Sequence, residues 1–334
     1  MMRHLVKRTP WLLLLGIAAF AISSPLNQAA AETFTLNSLT AWPKSASESV
    51  QFLKFLELAQ EDADKNYPGE LKLVYKGAGE VIDNREQVEA LRTGVIDMVF
   101  TAGSYYTSII PEIDLMSLTN KMPWEERAAG VFDYLNTLHN EKANAHMLGR
   151  VGTGSLFYMF LTKPITGLAD LKGKNIRSSA TPVPFLKSAG ASPVGMPPPD
   201  ILTAMERGVI DGYILPAETI RDFGLVKPSK YMVFPGFYQP CQFILINLDK
   251  WNGLPAHLQE LLTKQADMMA HYNIETKQEQ FKAELVEFKK AGMTFNELGP
   301  EEAAAFKNQA DKALAEAISA KAPEEAKMIL SLIQ

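Results

Sequence analysis

The sequence contains one cysteine, Cys241, among its 334 residues, so no disulfide can form within the chain. A chain of this length buries enough apolar surface to be stable without such a bond. Cys241 lies in the apolar stretch QPCQFILIN, where a thiol is more often a packed side chain than a nucleophile. We therefore predict that Cys241 has a structural role.

Local motifs for catalysis, metal binding and nucleotide binding are also missing. The five histidines are scattered, and none has the HExxH spacing that places two metal ligands on one helix face. The sequence contains no GxSxG elbow, no GxxxxGK[ST] loop and no GxGxxG loop. We predict no catalytic residue, no metal and no cofactor, with a triad assembled from distant residues as the alternative.

The sequence has few long apolar runs, and the one that stands out extends from Trp11 to Ile22. At about a dozen residues it is shorter than the roughly 20 that a membrane-spanning helix requires. Three basic residues precede it, and three alanines follow before the first acidic residue, which is the order of a secretory signal peptide. We predict a cleaved signal peptide over residues 1–31 and a mature chain that begins at Glu32. An uncleaved anchor is the alternative.

The chain has fewer basic than acidic side chains, 33 against 38, and a net charge of −5. The predicted signal peptide holds three of the basic residues and no acid, so the remaining 303 residues carry −8. An acidic chain argues against a nucleic-acid partner, which would require a basic surface. We expect an exported, soluble protein, monomeric by default, of about two domains.

One phrase occurs twice, as ALRTGVIDMVF over residues 90–100 and as AMERGVIDGYI over residues 204–214. In each copy an amphipathic helix ends at a glycine that can adopt the left-handed conformation of a helix C-terminus. A short turn carries the aspartate, and a buried strand follows. The repeat predicts two α/β units of related fold.

Strand-like and helix-like segments alternate on both sides of this repeat. TFTLNSLT, LKLVYKG and VIDMVFT are typical of strands, and SESVQFLKFLELAQEDADK is typical of an amphipathic helix. Alternation of this kind predicts an α/β fold with mainly parallel sheets covered on both faces. Beyond Pro255 the pattern is helical, and one segment is long enough to bridge both domains or to kink.

Arg177 is the one polar residue that the residue pattern singles out. It stands in DLKGKNIRSSA, at the predicted end of a strand, where open α/β sheets bind ligands. The planar guanidinium makes two parallel hydrogen bonds to a carboxylate. An ordinary surface arginine is the alternative.

The order of these segments resembles the substrate-binding proteins of tripartite ATP-independent periplasmic (TRAP) transporters, the DctP-like family. The resemblance lies in REQVEALRTGVIDMVF, KPITGLADLKGKNIRSSA, FLKSAGASPVGMPPPDILTAMERGVIDGYILP and INLDKWNGLPAHLQELL, and it covers most of the mature chain. It implies two doubly wound α/β domains with a hinge and domain-spanning helices, as in type II periplasmic binding proteins. The implied boundaries are 32–153 with about 242–282 for domain I, and 154–241 with about 283–334 for domain II.

The resemblance also implies a function. A protein of this family captures an organic acid in the cleft between its domains and delivers it to a membrane permease. The arginine of the KGxKxR motif clamps the ligand carboxylate, and Arg177 occupies that position in KGKNIR.

Two departures from the family pattern bear on the ligand. Phe157 stands about where many members have a second arginine, and DGYILP places Leu215 where an asparagine often contacts ligand. A second carboxylate would lack partners there, so we expect a monocarboxylate with an apolar or aromatic body. The alternative is that both residues pack in the core.

Further contact residues are predicted from their positions after strands or near a domain crossing. They are Trp42, Tyr105, Phe157, Tyr158, Tyr213, Leu215, Tyr238 and Gln239, and Tyr106 is a second hydroxyl beside Tyr105. Other interpretations stay open: a C4-dicarboxylate or 2-oxo acid as ligand, an exported enzyme such as a hydrolase, a signalling receptor domain, or the binding protein of an ATP-driven importer.

Overall fold

The structure is a computed structural model that describes residues 32–333; the predicted signal peptide lies outside the described residues. The strands are β1 (Phe34–Thr40), β2 (Leu71–Gly77), β3 (Met98–Ala102), β4 (Ala145–Arg150), β5 (Phe157–Leu161), β6 (Asn175–Arg177), β7 (Ser192–Val194), β8 (Gly212–Pro216), β9 (Tyr231–Phe237), β10 (Gln242–Asn247) and β11 (Thr294–Glu297). The α-helices are α1 (Ser47–Asn66), α2 (Gln87–Arg92), α3 (Pro123–Ala128), α4 (Val131–Ala143), α5 (Val183–Ser188), α6 (Ile201–Glu206), α7 (Leu248–Gly253), α8 (Ala256–Lys290), α9 (Pro300–Ser319) and α10 (Pro323–Ile333). Short 3₁₀ helices include Pro111–Leu118 and Ala217–Thr219.

The strands form two sheets of matching topology. The first has the order β2-β1-β3-β10-β4 and the second the order β11-β9-β5-β8-β6-β7. In the first sheet β1 pairs parallel with β2 and β3, and in the second β6 pairs parallel with β7 and β8. Each sheet then continues through one antiparallel strand, β10 or β5. The predicted α/β class with two domains is confirmed. The sheets are mixed rather than mainly parallel, because the chain enters β10 and β5 from the other sheet.

The repeated phrase marks corresponding helix–strand junctions in the two sheets. Gly94 and Gly208 end α2 and α6 with φ of 76° and 67°, a conformation that a side chain would disfavour. The next residue in each copy donates its backbone N–H to the helix, to Ala90 O and Ala204 O, both at 2.9 Å. Both helices therefore stop in the same way and release the chain into β3 and β8.

The aspartate of each phrase holds the parallel strand that neighbours the strand of its own phrase, β1 beside β3 and β6 beside β8. Asp97 Oδ2 accepts a hydrogen bond from the backbone N of Asn37 on β1 at 2.8 Å, and Asp211 Oδ2 accepts one from the backbone N of Asn175 on β6 at 2.8 Å. The Asn37 side-chain amide adds a second bond to Asp97 at 2.9 Å. The repetition in the sequence thus reflects one structural contact made twice.

Helix α8 connects the two domains. Its 35 residues form one continuous helix of about 52 Å, so the predicted bridge is present without a break. It packs against α1 and β4 beside the first sheet and against Ala217–Thr219 beside the second. Near the second sheet, the buried Lys277 of α8 lies 3.5 Å from the carboxylate of Glu218.

The C-terminal helices also contact elements of both sheets. Helix α9 packs against α5 and β9, and its Phe306 side chain lies 4.8 Å from Phe185 and 5.1 Å from Phe237, ring centre to ring centre. Helix α10 packs against α4 and Pro111–Leu118. The exact domain boundaries stay a prediction. Across residues 32–333, no helix is both long enough and apolar enough to span a bilayer.

Candidate functional site: a cleft between the two sheets

A cleft lies where the parallel strands of both sheets end. Trp42 and Tyr105 follow β1 and β3 of the first sheet, and Ser179 and Thr219 follow β6 and β8 of the second. Open α/β sheets place their ligands at these carboxyl ends. The antiparallel strands begin at the same cleft, with Phe157 on β5 and Gln242 on β10.

Arg177 reaches this cleft from the end of β6. Its backbone lies between β7 and β8, and its side chain is 3% exposed. The guanidinium donates through Nε and Nη2 to Met196 O at 3.0 and 2.9 Å, and more weakly through Nη1 to Ile214 O at 3.4 Å. Two backbone carbonyls thus fix its orientation.

The charge of Arg177 is not neutralised by a carboxylate within residues 32–333, since its hydrogen bonds all go to neutral carbonyls. Burial lowers the pKa of Arg177 to about 10, and the nearby Tyr105 opposes that shift. A guanidinium with that pKa is still charged at neutral pH. A buried cation without a counterion is costly, so this geometry suits an incoming anion.

Apolar side chains form much of the remaining wall. Trp42 packs against Phe100 and Tyr105 with ring centres 5.4 and 6.0 Å apart. Phe157 on β5 pairs with Pro216 on β8, the residue next to Leu215, and all three line the cleft. The cleft therefore combines one fixed cation with apolar walls.

Two carboxyl groups line the same cleft. Burial raises the pKa of Glu48, in the first turn of α1, to about 7, although Lys277 opposes the shift. Burial likewise raises the pKa of Asp114 to about 7, against a hydrogen bond from the Thr181 hydroxyl at 3.0 Å. The cleft is thus polar at more than one point.

Five of the predicted contact residues come together here: Trp42, Tyr105, Phe157, Arg177 and Leu215. Three tyrosines point elsewhere. Tyr158 packs against Phe281 and Phe234, and the Tyr213 hydroxyl bonds to Ser229 Oγ at 2.6 Å. The Tyr238 hydroxyl donates to Ala310 O.

Two other predicted groups are engaged outside the cleft wall. Gln239 accepts from the Thr153 hydroxyl at 2.8 Å and donates to Thr119 O at 2.9 Å, at the crossing between β9 and β10. The hydroxyl of Tyr106 lies 2.9 Å from His139 Nε2 in the core. These side chains position the crossing and the core rather than line the cleft.

Sequence reasoning missed several polar residues of the cleft, above all Glu48, Asp114, Ser179 and Gln242. Two of them carried a usable signal. Ser179 is two residues beyond Arg177 at the same strand end, and Glu48 opens the helix that follows β1. Asp114 and Gln242 belong to segments far away in the chain, and only folding brings them here.

Metal and thiol chemistry receive no support in the part of the chain that the structure describes. That part contains no group of three or more His, Cys, Asp or Glu side chains placed to hold a metal ion. Cys241 lines the cleft, and burial raises the pKa of its thiol to about 12. A thiol with such a pKa is a poor nucleophile at neutral pH.

The fold and cleft match a known class of proteins. Residues 42–321 match the model of the family described as bacterial extracellular solute-binding protein, family 7, DctP. The chain belongs to this family, and the resemblance found in its sequence is confirmed.

Individual relatives are distant. The chain is 24% identical over 235 residues to the monocarboxylate 2-oxoacid-binding periplasmic protein of Nostoc sp., a match that covers 66% of this chain and 62% of that protein, less than two thirds of its length. The fold is similar to that of a TRAP periplasmic solute-binding protein of Desulfovibrio salexigens with bound orotic acid, with a TM-score of 0.79, 19% identity and coverage of 90% and 97% of the two chains. It is also similar to a marine metagenome TRAP solute-binding protein specific for aromatic acid ligands, in complex with 3-hydroxybenzoate, with a TM-score of 0.74, 22% identity and coverage of 91% and 97%.

Proposed function

We propose that this protein captures an organic acid anion in the cleft between its two sheets and carries it to a TRAP membrane permease. The observation that carries the proposal is Arg177, a buried guanidinium that two backbone carbonyls hold at the cleft and that pairs with no carboxylate among residues 32–333. A ligand carboxylate would accept its remaining N–H groups and supply the missing negative charge.

The walls favour a monocarboxylate with an apolar or aromatic body. Phe157 and Leu215 offer a second carboxylate no hydrogen bond, and leaving such a group unpaired costs about 1–3 kcal/mol. Apolar ligand surface placed against them gains about 25 cal/mol per Å². Two of the similar proteins support this ligand class. The name of one mentions a monocarboxylate 2-oxoacid, and the structure of the other is a complex with 3-hydroxybenzoate.

The mechanism is capture by closure. The ligand binds between the domains 32–153 with about 242–282 and 154–241 with about 283–334, and it stabilises the closed state by its higher affinity for that state. In this proposal the protein acts as a periplasmic monomer, exported by a signal peptide over residues 1–31, and it returns its ligand chemically unchanged.

Calorimetric titration with a panel of small carboxylates tests the proposal. We expect aromatic or long aliphatic monocarboxylates to bind with one site per chain. Because each of the two hydrogen bonds from the guanidinium to the carboxylate contributes about 1.5–3 kcal/mol, Arg177→Ala should weaken binding about 100-fold or more. Mass spectrometry of the recovered ligand should show no conversion.

Arg207→Ala is the matched control, because Arg207 is an exposed arginine at the end of α6 and not part of the cleft wall. It removes the same charge and should leave affinity unchanged. Equal affinity of Arg177→Ala and the unmodified protein for the tightest acid would contradict the clamp. Conversion of the acid would contradict the assignment as a binding protein.

A further inference from the structure

Several buried polar atoms in the cleft have no hydrogen-bond partner within residues 32–333. Ser179 Oγ is one of them, and it lies at the Arg177 end of the cleft, two residues along the chain. Glu48 Oε2 and Gln242 Oε1 are two others. These last two are both acceptors, and they come from α1 and β10, elements of the first sheet's domain rather than of β6.

The fold does not explain the position of Glu48. Its side chain is 5% exposed and sits in the first turn of α1, yet one carboxylate oxygen has no donor in the described part of the chain. Lys277, whose positive charge opposes the rise in the pKa of Glu48, already pairs with Glu218 at 3.5 Å. A buried acceptor without a donor is costly, so a group that lines a ligand cleft in this state indicates a donor supplied from outside the chain.

Gln242 adds an independent observation at the same place. It is 4% exposed and opens the antiparallel strand β10, and its side chain fills the space beside Gly152, where a Cβ would lie 1.7 Å from Gln242 Oε1. Gly152 thus leaves room for this amide, and no group that the structure describes donates a hydrogen bond to the amide oxygen. Two such acceptors in one cleft favour a ligand with O–H or N–H groups.

We propose that Glu48 and Gln242 form a second recognition point of the cleft, which accepts hydrogen bonds from a hydroxyl or amino group of the ligand while Arg177 holds its carboxylate. The inference rests on the proposed function and narrows the ligand to a hydroxy- or amino-substituted monocarboxylate. A dicarboxylate is disfavoured, because its second negative charge would meet Glu48 and also Asp114.

Matched acids on two scaffolds test this inference by calorimetry at about pH 8, above the pKa of Glu48. The aromatic set is benzoate, 3-hydroxybenzoate, 3-aminobenzoate, 3-methoxybenzoate and isophthalate; the aliphatic pair is butyrate and 3-hydroxybutyrate. We expect the acids with a donor to bind at least about 10-fold more tightly than the parent or methoxy acid on the better scaffold, as expected for a bond to a charged acceptor. Glu48→Gln should reduce this preference to about threefold or less.

Glu61→Gln is the control, since it removes an exposed carboxylate from the same helix α1. Gln242→Leu is a second test variant, and it should weaken the preference for acids with a donor by a smaller factor than Glu48→Gln does. Melting curves of the ligand-free variants establish that each is folded. Equal affinity for hydroxy and parent acids, or an unchanged preference in both Glu48→Gln and Gln242→Leu, overturns the inference. The proposed function still stands in that case if Arg177→Ala abolishes binding, whereas a failure of every acid to bind contradicts both.

Discussion

Asp222 caps the N-terminus of α1 from the opposite side of the cleft. Its Oδ2 accepts the backbone N–H of Ser47 at 2.8 Å and the Ser47 hydroxyl at 2.7 Å. The residue before the helix, Ala46, has no side chain that could do this. Asp222 follows β8 of the second sheet, so the capping bond joins the two domains at the cleft.

This cap should favour the closed state. N-caps contribute about 0.5–2 kcal/mol, and an exposed one lies at the lower end, so Asp222→Ala should weaken ligand binding about 2- to 10-fold. The measurement is the dissociation constant of the tightest carboxylate. Asp200→Ala, another exposed aspartate of the second sheet's domain, is the control. Unchanged affinity in Asp222→Ala would mean that the cap does not affect closure.

Asp114 should make stability depend on pH. Its folded pKa is raised to about 7 from the usual 3.8, so the folded protein binds more protons than the unfolded chain between those values. The free energy of unfolding therefore falls as pH rises through this range, by at most about 1.4 kcal/mol per unit. Asp114→Asn removes this loss, and its melting temperature relative to the unmodified protein should rise between pH 5 and pH 8.

The exposed Asp133→Asn should show no such trend. His139, whose pKa burial lowers to about 4, gives the opposite slope below about pH 6.5, but it is present in both proteins and cancels in the comparison. If the difference in melting temperature between Asp114→Asn and the unmodified protein is the same at all pH values, the environment of the Asp114 carboxyl does not disfavour its charge.

Phe157 should select against a second carboxylate. Phe157→Arg places a cation in the wall of the cleft, and we expect dicarboxylate affinity to rise about 10-fold while apolar monocarboxylates bind less tightly. Phe157→Leu keeps the wall apolar and serves as the control for lost aromatic area. Parallel titration of mono- and dicarboxylates measures both effects. If Phe157→Arg leaves the ratio of the two affinities unchanged, Phe157 acts only as packing.

The two aspartates of the repeated phrase should differ in their effect on stability. Asp97 is 6% exposed, and its carboxylate accepts two hydrogen bonds from Asn37. Asp211 is exposed, and its carboxylate accepts one hydrogen bond from the backbone N of Asn175. Asp97→Ala should cost about 2–4 kcal/mol of unfolding free energy and Asp211→Ala about 1 kcal/mol. Urea denaturation gives both values. Equal costs would show that burial does not set the strength of this contact.

Much of the fold was predictable because its signals are local. The glycine and aspartate of each repeated phrase act within a few residues, and the helical and strand periodicities identified most elements. The mixed sheets were not predictable in this way. The antiparallel strands β5 and β10 each pair with strands distant in the chain, and periodicity carries no information about direction.

The candidate site likewise has one part that the local sequence predicts and another that depends on the tertiary structure. The sequence by itself determined the two α/β units, their junctions and the arginine at a strand end, since these follow from local pattern and from a motif of a few residues. Only the tertiary structure decided which side chains meet Arg177 in the cleft. Glu48, Asp114 and Gln242 come from widely separated segments, and the burial of such side chains, which depends on the whole fold, determines which charges and hydrogen-bonding atoms are left without partners. Our proposals about the ligand rest on those unpaired groups, and no local pattern records them.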